Sequence, residues 1–225
     1  MRKALPDQCH KDIQEKRINR TTMKDMPQAM RTTEKIIKKS CIRKLWANLN
    51  TSIQNEVCVC AQQMIEKTCE TGPLQKYLLH SLIPSAAIYK VLIEYGISKE
   101  EAYNEIKDTV FCTMRPRRRK MKMISSMPWA FNWVWKNMPN FIMKKFPSKG
   151  WDIQWIKKDN REIKFNMKSC FYCDFFRIYE CPELTPIFCS CDRISYGLMK
   201  SFNFTRTHTL ATGGTKCNFD FKRTN

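Results

Sequence analysis

Apolar residues change their spacing once along the chain. Between residue 33 and about residue 114 they recur with a period near 3.6, and beyond Gly150 they alternate. Residues 1–30 carry charges with little periodicity and read as a basic N-terminal arm. Ile36, Ile37, Leu45, Leu49, Ile53, Val57, Val59 and Ile65 then keep helical spacing until Gly72 and Pro73 stop it. Leu78, Leu82, Ile83, Ala86, Ala87, Tyr89, Leu92 and Ile93 form a wide apolar stripe, closed by Gly96 as a C′ residue. Ser98 with Glu101 is a capping box, and it predicts a helix to about Met114 followed by the basic run 115–120 as linker or exposed helix surface. Trp129, Phe131, Trp133, Val134, Trp135, Phe141, Ile142 and Phe146 form an aromatic cluster mixed with lysines. It reads as an irregular helix on the sheet, with a membrane-surface or lid element as the other reading.

After Gly150 the pattern predicts a hairpin: Trp151, Ile153 and Trp155, a turn at residues 157–160, then Ile163, Phe165 and Met167. Helices are expected over 170–179 and 186–199. A third strand carries Phe202, Phe204, Arg206 and His208 on one face, and Gly213 with Gly214 turns into a fourth strand of Cys217, Phe219 and Phe221. The fold class is therefore α+β: N-terminal helices, then an antiparallel sheet of about four strands interrupted by helices. The helical region 31–149 and the α+β region 150–225 are expected to pack as one domain.

Composition narrows the class. No run approaches the roughly eighteen apolar residues of a membrane-spanning helix, and the N-terminus lacks a signal-peptide apolar block. A cytoplasmic protein is expected, with its twelve cysteines mostly reduced; Cys58, Cys60, Cys69 and Cys112 read as small buried hydrophobes. The formal charge is +19, from 40 basic and 21 acidic residues. It is scattered and has no zinc-finger or nucleic-acid signature beside it, so no specific nucleic-acid partner is expected. Neither a dinucleotide fingerprint nor a P-loop is present, so no organic cofactor is expected.

Candidate chemistry gathers in the last third. Cys170 and Cys173 form C-x-x-C, a motif of redox or metal sites. A second such pair is missing, since Cys189 and Cys191 are separated by one residue, so no metal is expected, although a site built from Cys170, Cys189 and Cys217 stays open in three dimensions. Cys189 and Asp192 are three apart and share a helix face, which suits a nucleophile beside an acid–base group and equally a buried thiol near a surface carboxylate. Arg206 on an aromatic strand face needs an anion, either a substrate carboxylate or a partner such as Asp192. Thr209 and the backbone of Gly213 and Gly214 offer donors to developing charge, or simply make a turn. His80 and His208 are available bases that nothing in their spacing marks.

The segments E-L-T-P-I-F-C-S-C-D (183–192) and R-T-H-T-L-A-T-G-G-T-K-C-N-F-D-F (206–221), with the strand ending in Cys170, resemble the L-2-amino-thiazoline-4-carboxylic acid hydrolase family. The helical segment around residues 83–102 adds to the likeness, which spans about 78–222. Asn218 stands where family members often carry Asp, and Cys173, Cys181 and Cys191 lie outside the pattern. The resemblance implies a hydrolase of a small cyclic amidine or amide-like C–N bond acting on a carboxylate-bearing molecule. Cys189, or Cys170, would be the nucleophile and Asp192 the proton carrier. Arg206, Thr209, Gly213, Gly214 and Cys217 would bind substrate. A non-catalytic ligand-binding or zinc-stabilised sensor module is the alternative.

Overall fold

The computed structural model describes residues 27–224, apart from 69, 71, 128, 198 and 201; the expected arm, as far as residue 26, and Cys69 lie outside the described residues, as do the side chains of Phe131 and Val134. Helix α1 begins at Gln28, within the last residues assigned to the arm, and runs over Gln28–Lys39. The first helical stretch is three helices rather than one: α1, α2 (Arg43–Asn48) and α3 (Thr51–Lys67). Two polar side chains mark the breaks. The Ser40 hydroxyl donates back to the Ile37 carbonyl (2.7 Å), and Asn50 caps α3 by accepting from the Ile53 amide at 2.9 Å.

Two helical turns, Gln75–Tyr77 and the π-helical Leu78–Leu82, lead into α4 (Ile83–Glu94). Helix α4 is buried nearly all round, which explains its broad apolar stripe. It ends as expected at Gly96, whose φ of 85° is open to glycine at no cost. The Gly96 amide bonds to Ile93 (2.9 Å) and the Ile97 amide to Leu92 (3.0 Å), the Schellman pattern. The Ser98–Glu101 capping box opens α5, which spans Lys99–Ser125 and so passes the expected stop at Met114. Pro116 removes one amide donor, but the Arg and Lys run around it consists of good helix formers and the helix continues. Helix α6 (Ala130–Lys145) carries the aromatic cluster and buries only Met138, Pro139 and Ile142 among its described side chains.

The sheet has order β1-β2-β4-β3, all antiparallel, with β1 at Ile153–Lys158, β2 at Glu162–Met167, β3 at Phe202–Thr205 and β4 at Cys217–Arg223. Asp159 Oδ1 accepts from the Arg161 and Glu162 amides and closes the β1–β2 turn. Ile153 and Trp155 lie half-buried, and a bulge at Ile156 shifts the pairing of the residues that follow. Strand alternation places Ile163, Phe165 and Met167 opposite Phe221, Phe219 and Cys217, and the Phe165 and Phe219 rings stack at 4.7 Å. Strand β3 stops at Thr205, short of the expected Arg206 and His208. The Thr207 and His208 amides bond instead to the Asn218 side chain, and His208 turns to solvent.

Helices α7 (Phe171–Ile178) and α8 (Thr185–Tyr196) interrupt the sheet where the sequence puts them. Two apolar cores result. One lies among α1–α5 and includes Phe176, Leu184 and Ile187. The other lies on the sheet beneath α6 and Trp151. Phe171 and Tyr172 touch both cores. Cys58 is buried, whereas Cys60 and Cys112 are only half-buried. Among the described residues no helix is long and apolar enough to cross a membrane.

Candidate functional site

A cavity of about 330 Å³ opens where the two cores meet. Helix α5 lines one side, the turns before α4 another, and α8, the start of α7 and the sheet complete it. Cys170, Cys189, Asp192, Arg206 and Cys217 all line it. Thr209, Gly213 and Gly214 do not. Gly213 is exposed with φ 83°, the Gly214 amide donates to the Thr209 carbonyl at 3.0 Å, and the Thr209 hydroxyl pairs with Thr212. The glycine pair thus closes a loop over 206–216 instead of facing the cavity.

Cys170 is the N-cap of α7, in extended conformation (φ −145°, ψ 113°). Its thiol is drawn down to about 7, chiefly by the neighbouring Cys173 thiol, against the cost of burial, and further by the amides of Cys173 and Tyr172 and the Trp151 indole. The two amides are free first-turn N–H groups of the kind any helix start offers, and they favour a thiolate. Cys173 is pushed up in turn, first because its thiol proton is held in the hydrogen bond to Cys170, then by burial and by the opposing charge of Cys170. Trp151 is held by its neighbour: the Phe171 amide donates to the Gly150 carbonyl (2.9 Å), and a Cβ on Gly150 would come within 3.0 Å of Leu74 and Phe171.

Other cavity thiols go the opposite way. Burial pushes Cys189 and Cys191 up to about 12 and Cys41 to about 11, and raises Cys217. All ten described cysteines are free thiols. Alkylation of Cys170 by iodoacetamide should therefore half-titrate near pH 7, while the other cavity thiols react only in alkali. The check is mass spectrometry of labelled peptides across pH, and a Cys170 midpoint near 9 would contradict the environment just described.

Asp192 sits between two largely buried cationic side chains. Lys145 Nζ donates to Oδ1 at 2.7 Å and Arg206 Nη1 to Oδ2 at 3.2 Å. The second Arg206 nitrogen donates to the Cys189 carbonyl, and the guanidinium lies over the Phe219 ring. Arg206 is thus already satisfied by Asp192, the pairing alternative left open by the sequence. Burial opposes the charge of Lys145, but Asp192 and Tyr196 outweigh it and raise its pKa. The cavity lining holds four cations, Lys76, Arg117, Lys145 and Arg206, against one carboxylate, so its field favours an anion. Arg117 is exposed at the rim and makes no salt bridge among the described residues. No group of three or more His, Cys, Asp or Glu among them is disposed to hold a metal ion.

Lys145, Arg117, Tyr172 and Trp151 were not singled out by the sequence. Lys145 sits in an ordinary Lys-Lys pair at a helix end, and no local signal marks it. Cys173 did carry a signal: a C-x-x-C whose first cysteine stands at the start of a predicted helix places that first thiol among free amides.

Residues 76–221 match the model of the L-2-amino-thiazoline-4-carboxylic acid hydrolase family, and the chain belongs to that family. Neither a curated protein nor a solved structure matches it.

Proposed function

We propose that the protein hydrolyses a small cyclic amidine bearing a carboxylate, with Cys170 as the nucleophile. The observation that carries this reading is the single cavity thiol with a lowered pKa, set at a helix N-terminus and facing a cation-rich pocket. Near neutral pH Cys170 is substantially thiolate, whereas Cys189 stays protonated. The thiolate adds to the amidine carbon, forming a C–S bond and moving an electron pair onto nitrogen. The ring C–N bond then breaks, and the departing nitrogen takes a proton. Water attacks the carbon held on sulfur, returns a proton, and releases the carbamoyl product with the thiolate restored.

Asp192 holds Lys145 and Arg206 in place, and Lys145 supplies a hydrogen-bond donor at the cavity wall. With Arg206 occupied, the substrate carboxylate falls to Arg117, helped by Lys76. Steady-state hydrolysis of L-2-amino-thiazoline-4-carboxylate tests the reading, with trapping of a thiol-linked adduct by mass spectrometry. Binding without turnover would overturn it in favour of the sensor alternative. Arg117→Ala should raise KM by about tenfold with kcat nearly unchanged, the mark of lost uniform binding; an unchanged KM would return the carboxylate to Arg206.

A further inference from the structure

The aromatic and basic hairpin of α5 and α6 is not absorbed by this chemistry. Between Asp108 and Asp152 the chain has ten Lys and Arg residues and no Asp or Glu. The same stretch holds six of the nine large apolar side chains that the described residues leave exposed: Met123, Met127, Trp129, Trp133, Phe141 and Met143. These are 41% to 59% exposed.

The arrangement follows helical spacing. Trp129, Trp133, Lys136, Asn140 and Lys144 recur at intervals of four, three, four and four, on the side of α6 opposite the buried Met138 and Ile142. On α5, Arg115, Arg118, Arg119, Lys122 and Met123 fall within one arc, all exposed. The two helices contact each other. None of the cations named here makes a salt bridge among the described residues; those formed in this stretch use Lys145 and Lys149.

From this we infer that the outer face of the α5–α6 hairpin docks on an anionic phospholipid surface. Trp rings beside Lys and Arg suit the headgroup layer, where an apolar body and a polar edge are both satisfied. Cations with no acid among them complement anionic headgroups. A second copy of the chain would bring like charges face to face in a two-fold contact, which opposes pairing. A nucleic acid would stack on the Trp rings and leave Met123, Met127 and Met143 in water, whereas a bilayer buries them as well. Because α5 also lines the cavity through Thr113, Met114 and Arg117, docking would hold the cavity close to the membrane.

Co-sedimentation of the full chain with vesicles tests the inference, independently of any turnover. Phosphatidylcholine vesicles containing about 30% phosphatidylserine should bind at least about tenfold more tightly than phosphatidylcholine alone. Binding should weaken as salt rises from about 0.1 M to about 0.5 M. The triple change Arg115→Glu, Arg118→Glu and Arg119→Glu, and separately Trp129→Ser with Trp133→Ser, should each weaken it about tenfold or more. All these side chains are exposed, so the fold should tolerate the changes. Equal binding to both vesicle types, no binding to either, or binding unmoved by both variants would overturn the proposal. So would a dimer lost in the Trp variant, or oligonucleotide binding, found without vesicle binding.

Discussion

Cys170→Ser is expected to lower turnover of a 2-amino-thiazoline-4-carboxylate by roughly three orders of magnitude or more, while Cys189→Ser stays within about tenfold of the parent. The two thiols line one cavity and differ in what surrounds the sulfur. Cys170 has the amides of Tyr172 and Cys173, the Trp151 indole and the Cys173 thiol; Cys189 has burial, only partly offset by Arg206. A serine hydroxyl at position 170 keeps the size and the amides but does not ionise near neutrality. The parent rate should rise with pH up to about 7 and level off above it, because the thiolate is the reactive form and Cys170 titrates there. Steady-state kinetics from pH 5.5 to 9 on the parent and both variants decide the matter. Loss confined to Cys189→Ser would move the nucleophile to Cys189. Full activity in both would remove the thiol mechanism and leave water attack assisted by Asp192.

Asp192→Ala is expected to cost roughly 3 kcal/mol of folding stability, because it strands two cations that have little contact with water. The Lys145 and Arg206 side chains are 19% and 6% exposed. Taking the carboxylate away leaves their desolvation uncompensated, which exceeds the worth of a surface ion pair several-fold. A drop in the denaturation midpoint with an unchanged slope would measure it. Adding Lys145→Met and Arg206→Met to the same chain should recover most of the loss, since the unpaired charges go with the side chains. A cost below about 1 kcal/mol would mean that the two cations find other partners, and that Asp192 is not the anchor of this wall.

Much of this fold follows from local spacing. The capping box at Ser98, the C′ glycine at Gly96 and the alternation of Ile163, Phe165 and Met167 each depend on residues a few positions apart, so the chain states them directly. The family match likewise covers one contiguous stretch, residues 76–221. Helix ends were less legible. Good helix formers carry α5 past Met114 through Pro116, and Ser40 and Asn50 divide a stretch whose apolar period alone continues across them.

The site was legible as a set of residues and not as a set of roles. Spacing put Cys189 and Asp192 on one face of α8, and the motif brought Arg206 and Cys170 with them. Which thiol is the more acidic depended chiefly on the Cys173 thiol reaching Cys170, then on the first-turn amides of α7, with the Trp151 indole as the smallest contribution. That Arg206 is occupied by Asp192, that Lys145 arrives from α6, and that the Gly213–Gly214 backbone turns away were settled by contacts between elements far apart in the chain. Proton affinity and charge pairing depend on what lies within a few ångströms in space. Sequence alone determined which elements form and which thiols, carboxylate and cations were at hand; tertiary packing decided the electrostatic surroundings of each.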